Sequence, residues 1–386
     1  MPEFIVLKKI GGHSSDGLES VEAGANAPKH QIEVHDIGAE EARDIAQDAD
    51  VAAIARPMPV TLIRPFDVGA APASADVWGL SVVRADTSAF SGDGVVVAVL
   101  DTGIDRSHPA FTGVNIVEKD FTGSGDGDRH GHGTHCAGTI FGRDVGGTRI
   151  GIARGVKKAL IGKVLNDTGG GTSEMMFRGL QWALDQGAQV ISMSLGFDFP
   201  GAAKRMIAAG LPEEAAVSNA LESYRSNLRF FDALMQLVKA RGAFGDTAVV
   251  VAASGNESNR PKFTVAASLP AAASDVVSVA ALGRDNDGKL KIADFSNTMA
   301  RIAAPGVDIV SAKVGGGLQS MSGTSMACPH VAGVAALWWE ALKKSGAVKP
   351  TADLVVAKMM ASAMTETVLP AFGPNDRGTG SVTSPQ

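Results

Sequence analysis

Val95-Val96-Val97-Ala98-Val99-Leu100-Asp101-Thr102-Gly103 is the stretch on which the fold turns. A continuous aliphatic run with no polar alternation reads as a strand buried on both faces, which belongs inside a parallel sheet. Asp101 ends the run at its carboxyl side, the rim along which open α/β sheets gather their sites. Working outward, Ala159 to Val164, Val190 to Met193, Val249 to Ala253 and Val276 to Ala280 read as further buried strands. Thr134 to Phe141 and Ser173 to Gln186 read as helices between them. This βαβα alternation predicts a mainly parallel sheet covered by helices on both faces.

Two other segments carry chemistry. In Gly323-Thr324-Ser325-Met326-Ala327-Cys328-Pro329-His330, the residues that follow (Val331, Val334, Leu337, Trp338) recur at helical spacing. Gly323 is expected to turn the chain sharply and set Ser325 at the helix mouth. Free N–H groups and the positive dipole end there favour negative charge on a substrate oxygen. A serine in that place is ordinarily a cap. His130-Gly131-His132-Gly133-Thr134-His135-Cys136-Ala137-Gly138 changes the reading, because it sets a glycine-flanked histidine at the start of a small-residue helix. With Asp101 the three stretches supply a nucleophile, a base and a carboxylate to orient that base.

Asp101-Thr102-Gly103, His132-Gly133-Thr134-His135 and Gly323-Thr324-Ser325-Met326-Ala327 resemble the three signatures of the subtilisin-like serine proteases, in that family's order of Asp, His and Ser. Ala252-Ala253-Ser254-Gly255-Asn256-Glu257 is similar to the family's oxyanion segment, and Ser194-Leu195-Gly196 to the backbone wall of its S1 pocket. The resemblance covers residues 77 to 380 and implies a subtilisin-like three-layer α/β fold. It implies Ser325 as nucleophile, His132 as base, Asp101 as its orienting carboxylate and Asn256 as donor to the oxyanion. It further implies that Gly169-Gly170-Gly171 pairs with an extended peptide by β-augmentation. Ser194, Leu195, Gly196, Ala253, Gly255 and Ser268 then outline an uncharged pocket suited to a large apolar side chain. His130 and His135 read as loop or core histidines. The chemistry requires no cofactor. Family members often carry structural calcium, but Ala110 stands where many have an aspartate. Asp120, Asp126 and Asp128 offer a different oxygen-rich loop, and metal is left unassigned.

The composition, 45% hydrophobic and 20% charged over 386 residues, provides ample core for a globular chain. A net charge of −6 argues against nucleic acid and anionic membranes as partners. No apolar run is long enough to span a bilayer. Two cysteines make no disulfide framework; Cys136 and Cys328 read as packed thiols, and spacing does not fix whether they pair. Met326 adjoins the serine, where oxidation to the sulfoxide would impair turnover.

Residues 1–66 have a different texture. Phe4 to Lys8 and Gln31 to Ile37 read as strands, Ala39 to Asp48 as a charged helix, and Val51 to Ala55 and Val60 to Ile63 as extended pieces. This small α+β unit resembles the inhibitory propeptide of the family. Residues 67–76 read as a linker in which the chain cuts itself, and 77–386 as the catalytic domain. An insertion at about 197–226 reads as padding beside the substrate cleft. It runs into an amphipathic helix whose stripe is Val217, Leu221, Tyr224, Leu228, Phe231, Met235 and Val238. The expected partners are polypeptide substrates and the chain's own propeptide, with a monomer as the assembly. Met1 to Lys9 lacks the pattern of a secretion signal, and the compartment stays open between a secreted and a cytoplasmic protein. Two alternatives remain: a dedicated processing protease or peptide macrocyclase guided by the insertion, and a non-catalytic binding module capped by residues 1–66. An aspartic protease is discounted, since no second Asp-Thr/Ser-Gly occurs.

Overall fold

The computed structural model describes residues 3–10, 29–70, 76–242 and 247–386. They form two compact units, one of Met1–Pro59 with Asp198–Thr247, the other of Val60–Phe197 with Ala248–Gln386.

In the first unit β1 (Glu3–Ile10) is the middle strand of an antiparallel sheet, flanked by β2 (Lys29–Asp36) and β3 (Val51–Ala55). Phe4, Ile5, Val6 and Leu7 of β1 are all buried, so both faces of this sheet are covered. Phe4 packs with Ile37 and Ala42, the last on α1 (Ala39–Ile45). Helices α5 (Phe199–Ala208) and α6 (Glu213–Arg241) pack on each other, and α6 also packs along β3. Phe230, Phe231, Leu234, Met235 and Val238 of α6 are buried, and the Asn227 amide donates to the Arg56 carbonyl at 2.7 Å. A sixty-residue unit buries too little apolar surface to be secure by itself, and α6 enlarges its core.

This arrangement corrects three expectations. The insertion belongs to the compact unit of the N-terminal residues rather than to that of the catalytic domain, with α5 packed on α6. The predicted helical stripe holds only in its second half: Val217 and Leu221 are 41% and 46% exposed, because the buried face there is formed by Ala216 and Ala220. The first boundary falls at Pro59 rather than at residue 66, since Val60 onward belongs to the other unit.

The second unit holds β4 (Pro59–Leu62), β5 (Phe66–Ala70), α2 (Trp78–Val82), β6 (Val96–Asp101), β7 (Asn115–Asp120), α3 (His132–Phe141), β8 (Lys158–Lys163), β9 (Gly170–Thr172) and α4 (Ser173–Asp185). Then follow β10 (Val190–Met193), β11 (Leu195–Phe197), β12 (Val249–Ala253), β13 (Val277–Arg284), β14 (Leu290–Ile292), β15 (Ile302–Pro305), β16 (Ile309–Ala312), β17 (Leu318–Ser322), α7 (Thr324–Ser345) and α8 (Ala352–Ser362). The central sheet runs β14-β13-β12-β10-β6-β8-β7, with β15 also paired to β13. All its pairings are parallel except β13 with β14.

Val97 to Asp101 of β6 and every residue of β10 and β12 are buried, as strands sealed on both faces must be. Helices α3, α4 and α7 pack against this sheet, giving the three-layer α/β fold that the sequence predicts. Residues 67–76 depart from the expected linker. Phe66–Ala70 is a strand, antiparallel to β17, and the rest of the supposed cleavage segment up to residue 75 lies outside the described residues.

One buried carboxylate fixes the entry to β6. Glu340 of α7, 2% exposed, accepts from the backbone N–H groups of Ser91, Gly92 and Asp93 at 2.7, 2.7 and 3.1 Å, and from Lys344 Nζ at 2.6 Å. Burial pushes its pKa up, but the Lys344 ammonium and the three amides outweigh it and hold the carboxyl below its ordinary 4.5. A group lowered on folding stabilises above its unfolded value, and that contribution disappears as pH falls through the folded value. Glu340→Gln should therefore unfold at a lower temperature than the parent at neutral pH, a loss of about 1–3 kcal/mol. The gap should narrow below pH 4.5; thermal melts across pH 7 to about 3 check both.

Candidate active site

The site forms where three neighbouring strands end together. β6 lies between β8 and β10, and β10 between β6 and β12, so Asp101, Ser194 and the segment after Ala253 share one rim. Asp101 Oδ1 accepts from the Thr102 N–H and meets His132 Nδ1, each at 2.8 Å. Both residues are fully buried. Low dielectric strengthens a charge-assisted hydrogen bond of this kind and fixes the imidazole tautomer with Nε2 as the acceptor. His132 Nε2 is buried without a partner, as is Asp101 Oδ2.

His132 opens α3, and its approach to β6 depends on glycine. A Cβ on Gly133 would lie 2.2 Å from the Gly103 carbonyl oxygen. Asp128 then locks the two segments together. Its carboxylate accepts from Thr102 Oγ1 at 3.0 Å, the His130 and Gly131 N–H groups at 3.0 and 2.8 Å, and Thr134 N and Oγ1 at 2.9 and 2.7 Å. Lys163, 2% exposed, adds a third tie. Its three N–H groups meet the carbonyls of Thr102 and Gly127 at 3.0 and 2.9 Å and Asp167 Oδ1 at 2.6 Å. Neither role was read from the sequence, although a lysine inside the apolar run Ala159 to Leu165 was a signal of a satisfied buried cation.

In the oxygen-rich loop, the carboxylates of Asp120 and Asp128 are engaged by the chain's own donors. Asp120 closes a turn on Thr122 N and Oγ1 and Gly125 N, while both Asp128 oxygens serve the chain's own donors. Among the described residues, the His/Cys/Asp/Glu group that is compact enough for an ion is Asp101, His132 and Cys136. Burial first, then the Asp101 charge, pushes the Cys136 thiol well up, so it stays protonated and a poor ligand. Burial raises Cys328 to about 11, and both cysteines are unpaired thiols. His135 is a core histidine, its Nε2 on the Ile309 carbonyl at 3.0 Å and its titration lowered to about 3 by burial. His130 is exposed and stacks edge-on against His132.

Ser325 is the second residue of α7, where the backbone N–H has no partner within the helix. Pro329, four residues on, lacks an N–H, so the Ser325 carbonyl is left over by the helix. Ser194 Oγ donates to that carbonyl at 3.0 Å and Cys136 Sγ at 3.5 Å, which anchors the first turn to β10 and α3. Gly323 is extended, with φ of 163°, not sharply turned. Glycine is required there because a Cβ would stand 2.9 Å from Asn256 Nδ2. The Asn256 oxygen accepts from Thr324 N and Oγ1 at 2.9 and 2.8 Å, which points its NH₂ the other way, into the cleft.

The cleft is filled by the chain itself. β4 is sandwiched between β9 and β11. Thr61 pairs with Gly196, and the Leu62 N–H donates to the Gly169 carbonyl at 2.8 Å. Gly170 and Gly171 continue that edge. The Ile63 side chain lies over Gly196, with Ser268 alongside: a Cβ on Gly196 would stand 3.3 Å from Ile63 Cγ1 and 3.6 Å from Ser268 Oγ. Ala253 closes β12 nearby, and Gly255 carries a positive φ of +112° into the Asn256 turn.

The expected serine–histidine link is absent here, because the Ser325 hydroxyl donates to the Ile63 carbonyl at 2.9 Å. Asn256 Nδ2 donates instead to the carbonyl of the next residue, Arg64, at 2.9 Å. Beyond Pro65, β5 continues along β17.

Known proteins resemble the chain in sequence. The chain is 38% identical over 247 residues to "Subtilisin-like protease 6" of Trichophyton verrucosum (strain HKI 0517), covering 64% of this chain and 52% of that protein. It is 39% identical over 272 residues to the Trichophyton tonsurans protein of that name, covering 67% and 57%. It is 32% identical over 297 residues to "Intracellular serine protease" of Paenibacillus polymyxa, covering 75% and 78%. The chain spans about half the length of the Trichophyton verrucosum relative. A family model described as the subtilase family matches residues 92–381, and the chain belongs to that family.

Proposed function

We propose that this protein is a serine endopeptidase that hydrolyses peptide bonds in extended polypeptide segments, and that residues 60–66 hold it inactive as an internal pseudo-substrate. The observation that carries the reading is one peptide segment touched by both chemical groups at once, the Ser325 hydroxyl and the Asn256 amide. In the reaction Ser325 Oγ attacks the carbonyl carbon while His132 Nε2 takes its proton. Asp101 holds the ring and balances the imidazolium. The developing oxyanion is stabilised by Asn256 Nδ2 and the Ser325 N–H. His132 then protonates the leaving amine, and water releases the acyl group by the same route in reverse.

A productive substrate would put the attacked carbon and the stabilised oxygen in one carbonyl. The chain's own segment divides these contacts between successive residues, Ile63 at the hydroxyl and Arg64 at Asn256. The bond after Arg64 is moreover a proline amide. This register explains how a peptide can fill the cleft without being cut there. Self-processing falls on the far side of Pro65 once the segment shifts or meets a second molecule. The same edges, β9 with β11 and then β17, would grip a substrate by main-chain pairing.

Three outcomes are expected. Ser325→Ala should lower hydrolysis of a peptide p-nitroanilide by about 10⁶-fold, and N-terminal sequencing should find the full-length variant uncut between residues 66 and 76. Cleavage of the pure variant there would refute self-processing. Ile63→Gly removes a side chain whose burial is worth about 2 kcal/mol, and the full-length chain should then start hydrolysis at a rate roughly 10-fold or more above the parent. Thr324→Val removes the hydroxyl that orients Asn256 and should lower kcat about 10-fold with little change in KM, measured by initial rates.

A further inference from the structure

We infer that Asn297 is a positioning residue for the oxyanion donor: it holds the backbone on both sides of Asn256, an inference that rests on the function proposed above. Asn297 lies in the connection between β14 and β15 and is 1% exposed. Its backbone N–H donates to the Gly255 carbonyl at 3.1 Å. Its side-chain Nδ2 donates to the Ser254 carbonyl at 3.1 Å, to Glu257 Oε2 at 2.6 Å and to the Ala266 carbonyl at 3.5 Å. Its Oδ1 accepts from Glu257 N, Ser258 N and Ser258 Oγ, each at 3.1 Å. Residues 254 and 255 before Asn256, and 257 and 258 after it, are therefore all tied to one side chain and its own amide.

The need for such a clamp follows from where the segment lies. At Ala253 the chain leaves β12, and beyond it the ladder of sheet hydrogen bonds no longer serves residues 255–258. Thr324 fixes the direction of the Asn256 side chain, but a side chain is only as well placed as the backbone that bears it. Asparagine is matched to the task because it presents donors on one side of its amide and an acceptor on the other. Aspartate, of the same shape, would lose the donors and set a second carboxylate against Glu257. The fit is reciprocal: a Cβ on Gly255 would stand 2.3 Å from Asn297 Nδ2, so glycine is required opposite the asparagine.

A residue that acts through Asn256 has a signature that general destabilisation lacks. Kinetic constants for a peptide p-nitroanilide are to be measured on the active species obtained from the full-length chain, as parent, Asn297→Ala, Asn297→Asp, Asn256→Ala and the double variant Asn256→Ala/Asn297→Ala. Asn297→Ala and Asn297→Asp should each lower kcat by about 10-fold or more with KM within about twofold of the parent. In the Asn256→Ala background the Asn297→Ala change should lower kcat by less than about twofold, because the donor it positions is already gone. Equal losses in the two backgrounds, or a loss confined to KM, would overturn the inference while leaving the enzyme assignment intact. Should Asn297→Ala fail to accumulate as folded protein, Asn297→Ser, which keeps one acceptor, replaces it in the same cycle. A parent without Ser325-dependent hydrolysis would overturn the proposed function and this inference with it.

Discussion

Lateral hydrogen bonding of β6, β10 and β12 is the constraint on which the rest depends. Parallel strands in register end at the same rim, so residues about sixty to ninety positions apart in sequence are delivered to one place without any long-range polar search. Asp101 leaves β6 there, Ser194-Leu195-Gly196 leaves β10, and Ser254 to Asn256 leaves β12. Helices α3 and α7 add the imidazole and the hydroxyl at their first turns, where unpaired amides and small residues permit close approach. The arrangement at this rim is thus a by-product of how a buried sheet terminates.

That rim is held by a few fully engaged polar groups rather than by bulky packing. Asp128, Lys163 and Asn297 each bind several backbone or hydroxyl groups of loops that have no ladder of their own. Buried polar groups are costly unless satisfied, and satisfied ones specify a single loop geometry. Pro329 works by the opposite means. By withholding an N–H, it gives the Ser325 carbonyl to Ser194 and Cys136, and so pins the nucleophile's turn to the sheet. Catalytic positioning at this level needs accuracy of a few tenths of an ångström, which apolar contacts alone do not supply.

In the function proposed above, the segment 60–66 separates recognition from turnover. Its backbone pairs with β9 and β11 as the middle of three strands, and its Ile63 side chain lies over Gly196. Its carbonyls, however, are shared between nucleophile and oxyanion donor one residue out of step. Binding energy on the edges is retained while the geometry that would use it in a transition state is withheld.

The sequence by itself determined the layered parallel fold and the identity of the residues at the rim, because both are written locally. Unbroken aliphatic runs such as Val95 to Leu100 can only be strands sealed on both faces, and Asp101, His132 and Ser325 sit in short motifs whose glycines mark close approach. Only the tertiary structure decided what meets what. Nothing in the local pattern distinguishes Gly323 as a turn from Gly323 as room for an amide, or Asn297 as a loop residue from Asn297 as a clamp. The exposed Val217 and Leu221 follow the same rule, since a helix of good period does not say which neighbour will cover it. Residues 67–70 likewise read as linker, because a strand whose partner, β17, lies some 250 residues away has no local signature. Periodicity reports burial along one element; register and hydrogen-bond partners arise between elements, and those are fixed only when the chain has folded.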